Sequence, residues 1–212
     1  MSTTKILIAD DHAIVREGLK QIISETSDMT VADEAIDGHE VLNKALRNDY
    51  DVVVLDITMP GINGLDVLKQ IKAQKPKLPI LVLSVHPEEQ YAVRCLKAGA
   101  SGYLTKESAP DELTAAIRKI SQGKKYVTAS LAERLALDLE IGTEKPPHET
   151  LSDREYQVMC MIASGKTVKG IAEELFLSEK TISTYRSRIL EKMHIKNNAE
   201  LTYYAIKHGL VE

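Results

Sequence analysis

Cysteine is nearly absent from this chain: Cys95 and Cys160 are the only two in 212 residues. Each sits inside an apolar helical pattern, so both are expected as reduced core residues, and a disulfide scaffold is excluded. Long hydrophobic runs are missing too. No apolar stretch approaches the roughly 18 residues that span a bilayer. The opening Met1-Ser-Thr-Thr-Lys5 leads directly into Ile6-Leu-Ile-Ala9, too short for a signal-peptide core and without a small-residue cleavage site. A cytoplasmic protein without membrane contact is the expectation. Internal repeats and low-complexity tracts are also lacking, which removes repeat architectures. Neither sign of charge dominates. The net charge is −4 overall, and it divides into −4 for residues 1–123 (14 basic, 18 acidic), −1 for 124–149 (4 and 5) and +1 for 150–212 (9 and 8). Such a balance permits nucleic-acid binding by the C-terminal part without requiring it, because a local basic face matters more than a basic total.

What is present suits a soluble protein of two domains. The length exceeds one typical domain and falls short of three, and 43% hydrophobic with 27% charged residues is near the average for globular chains. Residues 1–122 alternate short apolar runs with helical periods. Strands are expected at Lys5–Ala9, Thr30–Ala35, Val52–Leu55, Ile80–Leu83 and Gly102–Leu104, and helices at about 13–24, 39–47, 64–74, 88–98 and 110–122. Runs such as Val52–Leu55 and Ile80–Leu83 lack polar alternation, as strands covered on both faces of a parallel sheet require. The fold class is therefore α/β, a (βα)5 doubly wound parallel sheet, followed by a small all-α domain. Residues 123–149 read as a linker with one amphipathic segment, Ser130 to about Leu139, and Pro146-Pro147 mark its end by blocking helix. From 150 to 212 no strand pattern occurs. Ser152 and Glu155 fit a capping box with Leu151 as staple onto Tyr156, and helices follow at about 153–163, 168–175, 179–193 and 198–207, with Ser178 and Gly209 as caps.

In doubly wound sheets ligands bind beyond the carboxyl ends of the strands, at the point where strand order reverses. Those ends carry Asp10 and Asp11 after strand 1, Asp56 after strand 3, Ser84 after strand 4, and Tyr103-Leu-Thr-Lys106 at strand 5. Three crowded carboxylates repel one another, and such oxygen ligands suit Mg²⁺. With a phosphoryl group on Asp56, the metal would bridge carboxylate and phosphoryl oxygens, while Lys106 neutralises another oxygen and Ser84 donates to a third. Each residue alone has an ordinary reading as turn former, cap or solvated charge; the ordered set at four strand ends does not.

These residues, with Asp56-x-x-Met-Pro-Gly61, resemble the receiver domain of two-component response regulators over essentially all of 1–122. The resemblance implies that Asp56 is the nucleophile accepting a phosphoryl group from a sensor histidine kinase. It also implies that Asp11, Asp56 and the main-chain carbonyl of Thr58 hold Mg²⁺, with Asp10 acting through water. Ser84 and Tyr103 match the pair whose coupled movement reports phosphorylation on the face of helix 4, strand 5 and helix 5. One departure is that the family's lysine is commonly followed by proline, with a cis bond, whereas Glu107 follows Lys106. A non-proline cis bond costs about 2.5–4 kcal/mol, which puts the loop geometry in question. His86, two residues past Ser84, is expected as an ordinary loop histidine, the alternative being a group that reaches the site and influences how long the acyl phosphate lasts; His12 is expected as structural.

In the C-terminal part, Phe176-Leu-Ser178 is a turn of the length that joins two helices in a helix-turn-helix, and small Ala172 allows their close approach. On the second helix Ile182, Ile189, Leu190 and Met193 form an apolar stripe, leaving Lys180, Thr181, Ser183, Thr184, Ser187, Arg188 and Glu191 outward. Hydroxyls and methyls can meet base edges while cations meet phosphates. The wider set Leu151-Ser-x-Arg-Glu155, Ile171-Ala-Glu-Glu-Leu175, Ser178-Glu-Lys-Thr181, Tyr185-Arg186, Ala199-Glu-Leu201 and His208-Gly-Leu210 resembles the LuxR-type output domain throughout 150–211, the NarL/FixJ class. Thr181–Arg186 is similar to the branch that includes the GacA and BvgA regulators. This implies base contacts from Ser183, Thr184 and Ser187, phosphate contacts from Lys180, Thr181, Tyr185, Arg188 and Lys192, and a dimerisation helix at 198–207. Gly170 lies inside the scaffold helix, where it costs about 1 kcal/mol against Ala.

The implied partners are a histidine kinase, a double-stranded inverted-repeat operator, a second copy of the chain, and RNA polymerase. A dehalogenase-type phosphatase also uses a strand-end Asp, Mg²⁺ and Lys but needs a second Asp two residues on, where this chain has Thr58. The expectation is a phosphoacceptor with slow self-dephosphorylation, not an enzyme. A flavodoxin-like FMN site is excluded by Asp10-Asp-His in place of a phosphate loop, and a quorum-sensing pocket is replaced by the acidic set.

Overall fold

In the computed structural model, which describes residues 3–60, 62–140 and 146–211, contacts divide the chain into two compact units, Met1–Ala136 and Leu137–Glu212. The first is built on β1 (Thr4–Ala9), β2 (Met29–Ala35), β3 (Val52–Asp56), β4 (Ile80–Ser84) and β5 (Gly102–Thr105). All are parallel, in the order β2-β1-β3-β4-β5. Between and after them run α1 (Ala13–Ser24), α2 (Gly38–Arg47), α3 (Gly64–Gln74), α4 (Glu88–Lys97) and α5 (Ala109–Ser121). Every residue of β3 and β4 is buried, as expected for strands with helices on both faces. One face packs Ile6, Ile8, Val52, Val54 and Leu83 against Leu19 and Ile23 of α1 and Leu113, Ile117 and Ile120 of α5.

Strand order reverses between β1 and β3, so the ends of those two strands open the crevice. The backbone there is drawn tight by Gly64, the first residue of α3. A Cβ on it would stand 2.4 Å from Ile57 Cα and 2.7 Å from the Asp56 carbonyl oxygen. Only glycine lets the helix start so close to the chain leaving β3. Asn63 caps that helix through the Leu65 N–H, 2.8 Å away. Gly61 of the motif lies outside the described residues.

Residues 124–131, expected as linker, are laid onto the last strand and helices of the first unit. Tyr126 bridges to Gly102 of β5, and its N–H donates to the Ser101 carbonyl at 2.9 Å. Its phenol donates to Glu112 of α5. Thr128 and Ser130 donate to the Glu88 carboxylate at the start of α4, at 2.7 and 3.3 Å. Helix α6 (Ala129–Glu140) begins from this anchorage; residues 141–145 lie outside the described residues.

The second unit contains a short 3₁₀ helix, Pro147–Thr150, then α7 (Asp153–Ala163), α8 (Val168–Glu174), α9 (Glu179–Lys192) and α10 (Asn198–Lys207). The prolines do not bar helix outright: Pro147 occupies the first turn of the 3₁₀ helix, where no N–H is needed. His148 of that turn meets the Tyr204 hydroxyl of α10 at 2.8 Å. The Ser152–Glu155 capping box is present, and Ser178 caps α9 through the Thr181 N–H.

Candidate metal centre and nucleic-acid interface

At the crevice the sheet brings Asp10, Asp56 and Lys106 into direct contact. The Lys106 ammonium stands 2.6 Å from Asp10 Oδ2 and 2.7 Å from Asp56 Oδ2, and both carboxylates are 1% exposed. Lys106 is fixed from below, since its own N–H donates to the Ser84 carbonyl at 2.7 Å. The Lys106–Glu107 bond is trans, as are all described peptide bonds, so the loop reaches the carboxylates without the family's Lys-Pro arrangement. The second Asp56 oxygen accepts the Thr58 N–H at 2.8 Å. Burial pushes the Asp56 carboxyl above the ordinary aspartate value, against the opposing charge of Lys106. Burial would lower Lys106, but the charge of Asp56 and the bonds to both aspartates outweigh it and hold the ammonium above its ordinary value.

Asp10, Asp11, His12 and Asp56 each present a ligand atom within 4.8 Å of the others. Asp10 Oδ2 and Asp11 Oδ1 are buried, and the contacts they make are the ion pair of the first with Lys106 and the close approach of the second to His12 Nδ1. Three carboxylates crowded around the single Lys106 ammonium leave negative charge that a hard divalent cation satisfies with oxygen ligands, so the donor set fits Mg²⁺. His12 is more than a helix start: its N–H donates to Asp10 Oδ1 at 2.9 Å, and its Nδ1 lies 2.9 Å from Asp11 Oδ1. Arg16, one turn into α1, donates to the Asp10 carbonyl at 2.9 Å while pairing with Glu34 at 2.9 Å. Neither was singled out for the site from the sequence. The adjacency of His12 to the aspartate pair was the available signal; Arg16 gave none.

Ser84 is fully buried, and its hydroxyl accepts the His86 N–H at 3.1 Å. Tyr103, 1% exposed, turns inward and donates to the His86 carbonyl at 2.8 Å. Burial raises its phenol well above the ordinary tyrosine value, so it remains a donor. The His86 ring is stacked on Tyr91 of α4, with centroids 4.7 Å apart.

In the second unit, Ile182 and Ile189 of α9 and its C-cap Met193 are buried and Leu190 half-buried. Ser183, Thr184, Ser187 and Arg188 are exposed and Thr181 and Tyr185 half-buried. Lys180, Thr181, Thr184, Tyr185 and Arg188 line one open concavity. Lys192 is drawn the other way, with its ammonium 2.7 Å from the buried Glu155 carboxylate. Thr184 and Ser187 return their hydroxyls to the carbonyls of Lys180 and Ser183, at 2.9 and 3.1 Å.

Residues 6–118 match the family described as response regulator receiver domain, and 149–205 match bacterial regulatory proteins, luxR family. The chain belongs to the LuxR-type response regulators. Among its relatives is the response regulator UvrY of Escherichia coli K12, 38% identical, the match covering 97% of this chain and 94% of that protein. Another is GacA of Pseudomonas aeruginosa PAO1, 36% identical with 98% of each covered. The fold is similar to RcsB of Salmonella enterica serovar Typhimurium bound to promoter rprA in the presence of the phosphomimetic BeF3⁻. That structure has a TM-score of 0.66 and 28% identity, with 96% of this chain and 98% of that one covered. A solved RcsB–DNA complex is likewise similar, at TM-score 0.60 and 28% identity, covering 97% and 98%. This LuxR-type response regulator is thus a DNA-binding two-component regulator of transcription, not an enzyme. Among its described residues no helix is long and apolar enough to cross a membrane.

Proposed function

We propose that residues 1–122 are a phosphoacceptor domain in which Asp56 takes a phosphoryl group from a histidine kinase, and that residues 150–212 read an inverted-repeat operator as a pair. The Asp56 carboxylate oxygen attacks phosphorus, an O–P bond forms as the N–P bond to the donor imidazole breaks, and that imidazole leaves with a proton. Asp10, Asp11, Asp56 and the Thr58 carbonyl would hold Mg²⁺, whose contribution when bound is to neutralise developing charge on the phosphoryl oxygens. Lys106 supplies a second positive charge beside Asp56, and Ser84 a hydroxyl at the neighbouring strand end. Phosphorylation then promotes dimerisation and so operator binding in the cytoplasm, where RNA polymerase is a further partner.

The observation that carries this reading is Lys106 lying between two buried aspartates at the sheet's switch point. Acetyl phosphate with Mg²⁺ should add one phosphoryl group by intact mass spectrometry. The adduct should be lost in Asp56→Asn and in EDTA; undiminished labelling in either would overturn the site.

A further inference from the structure

Six described helices end in the same way. After α4, α5, α7, α8, α9 and α10 a residue with positive φ donates to the carbonyl three residues back, and the next residue donates to the carbonyl five back. Glycine fills this left-handed position four times, as Gly99, Gly123, Gly165 and Gly209, with φ of 106°, 78°, 83° and 62°. The two exceptions, Phe176 (φ 54°) and His194 (φ 55°), stand on either side of α9. Histidine is among the side chains that tolerate this conformation; a bulky aromatic is an outlier there. Burial does not explain the exception. Phe176, the chain's one phenylalanine, is 74% exposed.

A strained backbone position that holds an exposed aromatic, where the same cap elsewhere takes glycine, points to work for the ring outside the domain core. Its place says where. Phe176 lies two residues ahead of Ser178, the N-cap of α9, beside the helix whose Lys180, Thr181, Thr184, Tyr185 and Arg188 line one concavity. In helix-turn-helix docking the second helix puts its N-terminal residues against base edges while the first crosses the backbone. The turn between them therefore lies over the sugar–phosphate chain at the groove's rim.

We propose that Phe176 packs its ring on deoxyribose there, an apolar contact that fixes how deeply α9 sits. The inference rests on α9 being the recognition helix. An uncharged contact to sugar strengthens binding on every sequence and releases no counterion.

The chain has no tryptophan, so Phe176→Trp in the full-length protein gives a single reporter. On adding a mixed-sequence duplex at low salt, its emission should shift to the blue and become shielded from acrylamide. Unchanged emission and quenching overturn the proposal, as does shielding already complete without DNA, which would seat the ring on protein. A second variant guards against a folding artefact. Phe176→Gly, which restores the residue used at the other caps, should melt at or above wild type and bind the duplex about tenfold more weakly, with an unaltered salt slope. Wild-type affinity, or a lower melting temperature, overturns it. Arg188→Ala run alongside separates the two readings. If its salt slope falls by about one while the indole of Phe176→Trp stays unshielded, only the sugar contact is wrong. If neither changes, the assignment of α9 fails as well.

Discussion

Lys192 shows what a side chain's neighbours do to a role inferred from its residue type. By position on α9 it suits a phosphate contact, yet its ammonium pairs with a carboxylate that is itself part of a capping box. Glu155 accepts from the Ser152 N–H and hydroxyl, both at 2.8 Å, and from Lys192 at 2.7 Å. Lys192→Ala should therefore lower the melting temperature and leave the salt slope of DNA binding nearly intact. Arg188→Ala should do the reverse, flattening the slope by about one unit while hardly affecting stability. Melting curves and DNA titrations over a salt series on both variants check this. The same cluster sets a pH dependence. Burial works to raise the Glu155 carboxyl, but Lys192 and the Ser152 donors outweigh it and hold it below the ordinary glutamate value. Its stabilising effect is thus full at neutral pH and is lost as pH falls through the depressed value. Glu155→Gln should cost about 1 kcal/mol at neutral pH, measured by denaturant unfolding, and the difference should shrink as pH falls through the depressed value.

Among the elements, the stretch between the two domains departs most from a sequence reading. Pro146-Pro147 and a weak amphipathic segment describe a linker, but Tyr126, Thr128 and Ser130 have partners on β5, α5 and α4 that are remote in sequence. Their hydrogen bonds follow from tertiary placement, which no local period reports. Gly102 makes the placement possible: a Cβ there would stand 2.9 Å from Tyr126 Cβ and 3.0 Å from both the Tyr126 carbonyl and Leu81 Cδ1. Gly102→Ala should thus cost about 1–3 kcal/mol and raise hydrogen exchange across 124–131 more than across β3. Equal protection of 124–131 in the variant would mean that the anchorage does not depend on that close approach. The strands, by contrast, were legible to within a residue or two because buried parallel strands are continuous apolar runs ended by polar residues. Those same endings singled out Asp10, Asp56 and Lys106, which the fold brings into contact. His12 and Arg16 were not singled out, since they act through ring placement and a backbone carbonyl. The left-handed Phe176 also escaped notice, because nothing in Phe-Leu-Ser announces positive φ.

At the scale of the whole molecule the account is that phosphorylation governs DNA binding by pairing two copies of the chain. Two tethered helix-turn-helix modules make the second half-site contact effectively intramolecular, which can raise apparent affinity about 10²–10⁴-fold without a new base contact. Ser84 and Tyr103 are joined through the backbone of His86, and Glu88, the first residue of α4, holds Thr128 and Ser130 at the start of α6; on the proposed reading these contacts are where phosphorylation of Asp56 would be reported. Ultracentrifugation with and without beryllofluoride should show a doubling of mass, and the affinity gain should be confined to the full inverted repeat. An equal gain on one half-site at unchanged mass would mean release of a masked domain instead. The most direct measurement of the central claim is genome-wide mapping of bound DNA in cells carrying the wild type or Asp56→Asn. The account predicts that wild-type sites share an inverted repeat and lose occupancy in the variant; the same sites, held equally by Asp56→Asn, would contradict it.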